Sequence, residues 1–80
     1  MINVRVKLFA TLRRFYPELG VGESLEVALP EGATVKDLME HLRLPPDHVR
    51  VVFVNGVARD DGHPLADGDE VGVFPPVGGG

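Results

Sequence analysis

The chain contains no cysteine. It can therefore form no disulfide and no thiolate metal site, and it has no cysteine nucleophile and no thiol to carry a persulfide. A basic excess is missing too, because twelve acidic residues outnumber eight basic ones and give a net charge of −4. This balance argues against nucleic-acid binding, which usually requires a basic face.

The sequence has no apolar run long enough to cross a membrane, and no secretory signal pattern opens it. We therefore expect a cytoplasmic protein that does not act on membranes. Its 80 residues, 44% hydrophobic and 25% charged, are typical of one small globular domain. Because so short a chain buries only a small core, we do not expect a deep catalytic cleft or an enzyme that acts alone.

The side chains that most often carry chemistry are not spaced for it. His41, His48 and His63 lack metal-ligand spacing, and the acidic stretch 60–70 does not follow the calcium-loop pattern. Ser24 is the only serine, and no histidine lies near it in the sequence, which argues against a hydrolytic triad. We expect no metal and no bound cofactor.

Hydrophobic periodicity divides the first half of the chain into two strands and a helix. Residues 2–9 and 24–29 carry apolar side chains at alternate positions, as half-buried strands do, and a short helix over 10–16 connects them. Phe9 breaks the pattern, because it is apolar on the polar face of the first strand. Thr34 is predicted to cap the main helix, with Asp37 completing a capping box. The inner face of this amphipathic helix is predicted to carry Val35, Leu38, Met39 and Leu42.

The second half completes a sheet. Residues 49–54 form the most apolar strand, Asn55-Gly56 is a two-residue hairpin turn, and a short return strand follows. Leu65 anchors a turn-rich stretch before the last strand, 70–74. The order predicts an α+β fold, the β-grasp (ubiquitin-like) roll, in which a mixed sheet of about five strands is covered by one main helix and the first and last strands lie parallel at the centre. We expect a domain over 1–74 and a flexible tail over 75–80.

The tail follows directly on the last strand. Pro75 has no N–H and should end the sheet ladder, and Pro76 keeps the exit stiff. Gly78, Gly79 and Gly80 have no side chains, and the six residues can reach roughly 20 Å beyond the domain. A glycine-rich end by itself is usually only frayed. Because nothing inside the fold is predicted to be catalytic, we interpret the Gly80 carboxylate as the reactive group.

Four segments resemble MoaD-type carriers, small subunits of molybdopterin synthase in the MoaD/ThiS group of ubiquitin-like proteins. The resemblance spans nearly the whole chain, and its terminal block is the most specific part. The segments are Lys-Leu-Phe-Ala-Thr-Leu-Arg at 7–13, Thr-Val-Lys-Asp-Leu at 34–38, Val-Asn-Gly at 54–56, and Leu-Ala-Asp-Gly-Asp-Glu-Val at 65–71 with Phe-Pro-Pro-Val at 74–77.

The resemblance implies a sulfur carrier for molybdenum-cofactor synthesis. A MoeB/ThiF-like activating enzyme would adenylate the Gly80 carboxylate with ATP, and sulfur from a donor protein would displace AMP and leave a thiocarboxylate. Val77 and the rest of the tail, Pro75 to Gly79, would insert into a MoaE-like large subunit that passes the sulfur to a pterin precursor. Gly78 departs from the family, which commonly has serine, threonine or alanine there.

The resemblance also implies a docking patch. Phe9 and Phe74 would form an apolar surface met by both partners, although both could equally be core residues, and Arg13 would add a charged contact unless it is simply a free surface residue. Other functions stay open at this point: a carrier for thiazole or tRNA thiolation, a ubiquitin-like modifier joined to lysines through Gly80, or a binding module with an inert tail.

Overall fold

The structure is a computed structural model that describes residues 1–20 and 22–76. Val21 and the terminal residues Val77, Gly78, Gly79 and Gly80 lie outside the described residues, so the predictions made for those four tail positions are not addressed by it. The described elements are β1 (Ile2–Leu8), β2 (Leu25–Leu29), α1 (Val35–Leu42), β3 (Val51–Val54), β4 (Val57–Arg59) and β5 (Glu70–Phe74), with 3-10 turns at Ala10–Phe15 and Pro46–His48.

The five strands form one mixed sheet in the order β2-β1-β5-β3-β4. β1 and β5 are parallel neighbours, whereas β1 with β2, β3 with β4 and β3 with β5 are antiparallel. The predicted parallel pairing of the first and last strands is confirmed. The last strand is therefore held between two neighbours, and the point where it leaves the sheet is firmly placed.

One face of the sheet packs against α1 and forms the core. Along β1 every second residue is buried, as the alternation in the sequence predicts. The helix contributes Val35, Leu38 and Leu42 to the same core. Each aliphatic side chain buried in this way stabilises the fold by roughly 1.5–3 kcal/mol. The buried hydrophobic residues are Ile2, Val4, Val6, Leu8, Leu12, Val27, Leu29, Ala33, Val35, Leu38, Leu42, Leu44, Val52, Val54, Leu65, Val71 and Val73.

The ends of α1 are fixed by local hydrogen bonds. The Asp37 N–H donates to the Thr34 hydroxyl oxygen at 3.3 Å, and the Thr34 N–H donates to the Asp37 carboxylate at 2.9 Å, so the predicted capping box is confirmed. At the other end Arg43 is left-handed, with φ 58°. The Tyr16 hydroxyl donates to the Leu42 carbonyl at 3.0 Å, which ties the turn after β1 to the end of the helix.

The β3–β4 hairpin is also held against β5. Asn55 and Gly56 both have positive φ, 52° and 85°, as the predicted tight turn requires. The Asn55 amide donates to the Asp69 carboxylate at 2.9 Å and accepts the Glu70 N–H at 3.0 Å. This side chain therefore links the turn to the start of β5.

β3 is shorter than the predicted strand over 49–54. The prolines that precede it open a 3-10 turn, Pro46–His48, and the Val49 N–H donates back to the Pro46 carbonyl at 3.2 Å. This N–H is therefore used in the turn and not in the sheet. The Arg50 N–H is the first to reach β5, and the strand itself begins at Val51.

Candidate functional site

The sheet face opposite α1 carries an aromatic cluster, which we define as Phe9, Phe53 and Phe74. The rings of Phe9 and Phe74 stack with centroids 4.2 Å apart and planes 2° apart. Phe53 meets Phe74 edge to face at 5.4 Å. Such contacts stabilise an aromatic pair by about 0.5–1.5 kcal/mol beyond the area they bury, so the cluster holds its shape without a core around it.

Strand alternation puts these rings on the outer face. In β5, Val71 and Val73 point into the core, so Gly72 and Phe74 point outward. Phe9 continues the extended chain of β1 by one residue, with φ −109° and ψ 150°, and its N–H donates to the Val73 carbonyl at 3.1 Å. Phe9 therefore lies on the outer face beside Phe74 and not in the core.

Gly72 makes room for the stacked rings. A Cβ atom added at this position would lie 3.3 Å from Phe9 Cε2 and 3.5 Å from Phe74 Cε1. The first distance is tighter than an ordinary carbon contact, which is near 3.5–4.0 Å. The missing side chain thus lets both rings lie close to the backbone of β5.

An open cleft of about 320 Å³ lies over this cluster. Its floor is apolar and its rim is charged, and Phe9 is 36% exposed. Exposed apolar patches rimmed by polar side chains are typical of interaction sites. The lining residues are Arg5, Lys7, Phe9, Ser24, Phe53, Gly56, Glu70, Val71, Gly72 and Phe74.

The chain leaves the sheet next to the cluster. The Phe74 carbonyl accepts the Arg50 N–H at 2.8 Å, and β5 ends there. Pro75 is buried, whereas Pro76 is exposed. The root of the predicted tail is therefore packed onto the domain within one residue of the aromatic cluster.

The structure does not bring every predicted patch residue together. Arg13 lies in the 3-10 turn after Phe9 and is partly exposed, but the cleft lining does not include it. Phe53, Gly72 and Lys7 do belong to the cleft and were not predicted. Phe53 lies between the inward Val52 and Val54, and this alternation could have predicted that Phe53 lies on the outer face.

Within residues 1–20 and 22–76, no three histidine, aspartate or glutamate side chains lie close enough to hold a metal ion. The same part of the chain has no helix with the length and apolar character needed to cross a membrane. Nor is any polar or charged side chain buried there.

Comparison with known proteins gives a consistent set of relatives. The chain matches the model of the ThiS family over residues 6–80. The molybdopterin synthase sulfur carrier subunit of Escherichia coli K12 is 35% identical over 85 residues, which covers 96% of this chain and 99% of that protein.

Solved structures include relatives of the same kinds. A Pyrococcus furiosus candidate molybdopterin converting factor, subunit 1, is 34% identical, with a TM-score of 0.79 and coverage of 96% of this chain and 100% of that one. Small archaeal modifier protein 1 of Haloferax volcanii is 28% identical, with a TM-score of 0.78 and the same coverages. A ubiquitin from Caldiarchaeum subterraneum, 23% identical with a TM-score of 0.61, supports the fold alone, and the predicted β-grasp fold is confirmed.

Proposed function

The chain belongs to the ThiS family, and we propose that it is the small, sulfur-carrying subunit of a molybdopterin synthase. The observation that carries this proposal is its 35% identity to the Escherichia coli sulfur carrier subunit over nearly the full length of both chains. The protein then works as a subunit and supplies no catalytic side chain of its own.

The reactive group in this proposal is the carboxylate of Gly80. A carboxylate is a poor electrophile, and adenylation gives its acyl carbon a good leaving group, AMP. The Gly80 carboxylate attacks the α-phosphorus of ATP on a MoeB/ThiF-like activating enzyme, and pyrophosphate leaves. A persulfide of the donor protein then attacks the acyl carbon and AMP leaves, which gives an acyl disulfide. A thiol of the donor attacks the donor-side sulfur of this bond, so the thiocarboxylate leaves and the donor keeps a disulfide. ATP is thus bound by the partner and not by this chain.

The loaded end is then inserted into a MoaE-like large subunit, which moves the sulfur to a pterin precursor. Gly78, Gly79 and Gly80 carry no side chains, so this part of the chain fits a channel too narrow for other residues. Ordering a segment in such a channel costs roughly 1–2 kcal/mol per residue in backbone entropy. The two prolines lower that cost because proline restricts the free chain, and Val77 adds a small apolar contact.

The aromatic cluster serves as the docking surface for both partners. Each partner must bring the same chain end into its own active site, and the cluster lies beside the buried Pro75 from which the tail starts. Aromatic side chains, phenylalanine among them, are enriched at the cores of protein interfaces. We place the protein in the cytoplasm, together with its ATP-using partner.

A second function is favoured by one observation. The 28% identity to small archaeal modifier protein 1 over 96% of the chain fits a ubiquitin-like modifier, in which the activated Gly80 acyl group is passed to a lysine amine of another protein. A carrier for thiazole or tRNA thiolation uses the same activated end with a different acceptor. All three share the activation step and differ in what receives the product.

Intact mass spectrometry tests the shared step. The full chain is incubated with its activating enzyme, ATP and a sulfur donor, and we expect a gain equal to one sulfur-for-oxygen exchange. The chain without Gly80 should keep its mass, and sulfur gain in that variant would contradict the proposal. Adding the large subunit and the pterin precursor should yield molybdopterin, whereas high-mass conjugates on an immunoblot with no molybdopterin would favour the modifier.

A further inference from the structure

Charges on the outer face of the sheet follow the strand register. Arg5 in β1 lies opposite Glu26 of β2 and opposite Glu70 of β5. Side chains in register on one face of a sheet are close enough to interact. The positive charge of Arg5 is therefore flanked by a carboxylate on each side.

Lys7 lies on the same face two residues further along β1, and its surroundings differ. On β5 it lies opposite Gly72, which has no side chain, and the register with β2 ends at the preceding pair, Val6 and Leu25. Among the described residues, neither neighbouring strand places a carboxylate in register with Lys7. Lys7 is exposed and lines the cleft beside the aromatic cluster.

We propose that Lys7 determines the specificity of the docking surface by pairing with a carboxylate of the partner protein. The occupant of the cleft is then a protein surface that presents an apolar side chain with an acidic residue next to it. This inference rests on the proposed function and adds the chemistry of the partner's contact surface.

Charge complementarity supports this choice of occupant. The whole chain carries −4, whereas the rim of the cleft carries Arg5 and Lys7 against one carboxylate, Glu70, so an acidic partner surface meets an excess of positive charge at this cleft. Complementary charges at an interface mainly set the association rate and the orientation of docking. Because salt reduces interactions between exposed charges beyond about 10 Å at 0.1 M, the contribution of Lys7 should depend on ionic strength.

The test measures binding of the full chain to its large subunit and to its activating enzyme at low and high salt. For Lys7→Glu we expect about a tenfold rise in Kd at low salt, reduced at high salt, with most of the change in the association rate. Lys7→Gln should weaken binding less, and if Lys7→Glu fails to fold, Lys7→Gln alone tests whether the positive charge contributes to binding. Lys36→Glu is the matched control, because Lys36 is an exposed lysine on α1 at the other side of the sheet, and its Kd should stay within about twofold.

The outcomes distinguish a failure of the proposed function from a failure of the role of Lys7. If the wild-type chain binds neither partner, the proposed function fails and this inference falls with it. If the wild-type chain binds but Lys7→Glu and Lys7→Gln bind equally well, only the role of Lys7 is overturned. Equal weakening by Lys36→Glu would show that total charge, and not the position of Lys7, controls binding, and it would overturn the role of Lys7. If the Lys7 variants changed the self-association of the free chain, the occupant of the cleft would be a second copy, and the role of Lys7 in partner binding would be overturned as well.

Discussion

The two faces of the central strands β1 and β5 differ in almost every respect. On the face toward α1, Val4, Val6, Val71 and Val73 are aliphatic and at most 2% exposed. On the opposite face the same strands carry the exposed Lys7 and lead to the stacked pair Phe9 and Phe74. The first face consists of buried aliphatic side chains, as a protein core does, and the second leaves large apolar rings in contact with water.

This difference indicates a division of labour within one small sheet. The aliphatic face supplies the free energy of folding. The aromatic face adds less to that free energy, because its rings stay partly in water, and we assign it to partner binding. If the division is correct, stability and activity should respond to different substitutions.

The largest stability change is expected from Leu38→Ala on the core side. Leu38 is fully buried, so its truncation removes apolar contacts and leaves a cavity, at a cost of roughly 2–5 kcal/mol. Urea unfolding measures this loss, and Lys36→Ala on the exposed side of the same helix is the control, expected to change stability by less than about 0.5 kcal/mol. A loss from Leu38→Ala no larger than the control's would contradict the assignment of this face to the core.

The next effect concerns the aromatic face, and it should appear in binding. Phe74→Ala removes both ring contacts of the cluster, and we expect a loss of about 2 kcal/mol in partner affinity, as for a hot-spot residue, with a loss of stability smaller than that from Leu38→Ala. Isothermal titration with the large subunit measures it.

Val57→Ala is the matched control for Phe74→Ala. Val57 is 50% exposed but does not line the cleft, so its truncation should leave affinity unchanged. If Phe74→Ala reduced stability by as much as Leu38→Ala while keeping affinity, the two faces would not be functionally distinct.

A smaller effect is expected at the cap of α1. Thr34→Ala removes the hydroxyl that accepts the Asp37 N–H, and loss of such a cap costs about 0.5–2 kcal/mol. Thr34→Ser keeps the acceptor and should retain most of the stability. Thermal unfolding distinguishes the two variants, and equal destabilisation by both would show that the hydrogen bond is not the cause.

The smallest change is expected from Gly72→Ala. A strand gains roughly 0.5–1 kcal/mol in backbone terms when alanine replaces glycine, and the crowding of Phe9 Cε2 at 3.3 Å opposes this gain. Net stability should therefore change little, while the displaced rings lower partner affinity slightly. Parallel unfolding and binding measurements test it, and tighter binding than the wild-type chain would contradict the role given to Gly72.

Most of the fold could be predicted because its signals are local. Thr34 and Asp37 mark a helix start three residues apart, and Asn55-Gly56 marks a tight turn by itself. The pairing of β1 with β5 is not local, and it was predicted only because the order of the elements matches a known arrangement. The start of β3 was placed two residues too early because the Val49 N–H closes the turn over Pro46–His48 and does not join the sheet, which the sequence pattern does not show.

The candidate site was less predictable. Phe53 lies in the apolar run over 51–54, where no polar side chain alternates with the apolar ones, so only its position between the inward Val52 and Val54 indicates the outer face. The role of Gly72 depends on where two rings from different strands meet. The position of Lys7 depends on the register that ends at Leu25. Each of these features depends on contacts or strand register between distant parts of the chain, and local sequence patterns do not reveal such contacts.

The central claim is that the end of the main chain reacts and that the fold only presents it. The most direct test is to amidate the Gly80 carboxylate by chemical ligation and to follow sulfur loading by intact mass with the activating enzyme, ATP and a sulfur donor. We predict no mass gain, an unfolding midpoint equal to that of the unmodified chain, and unchanged affinity for the large subunit apart from contacts of the carboxylate itself. Normal sulfur gain by the amidated chain would contradict the claim.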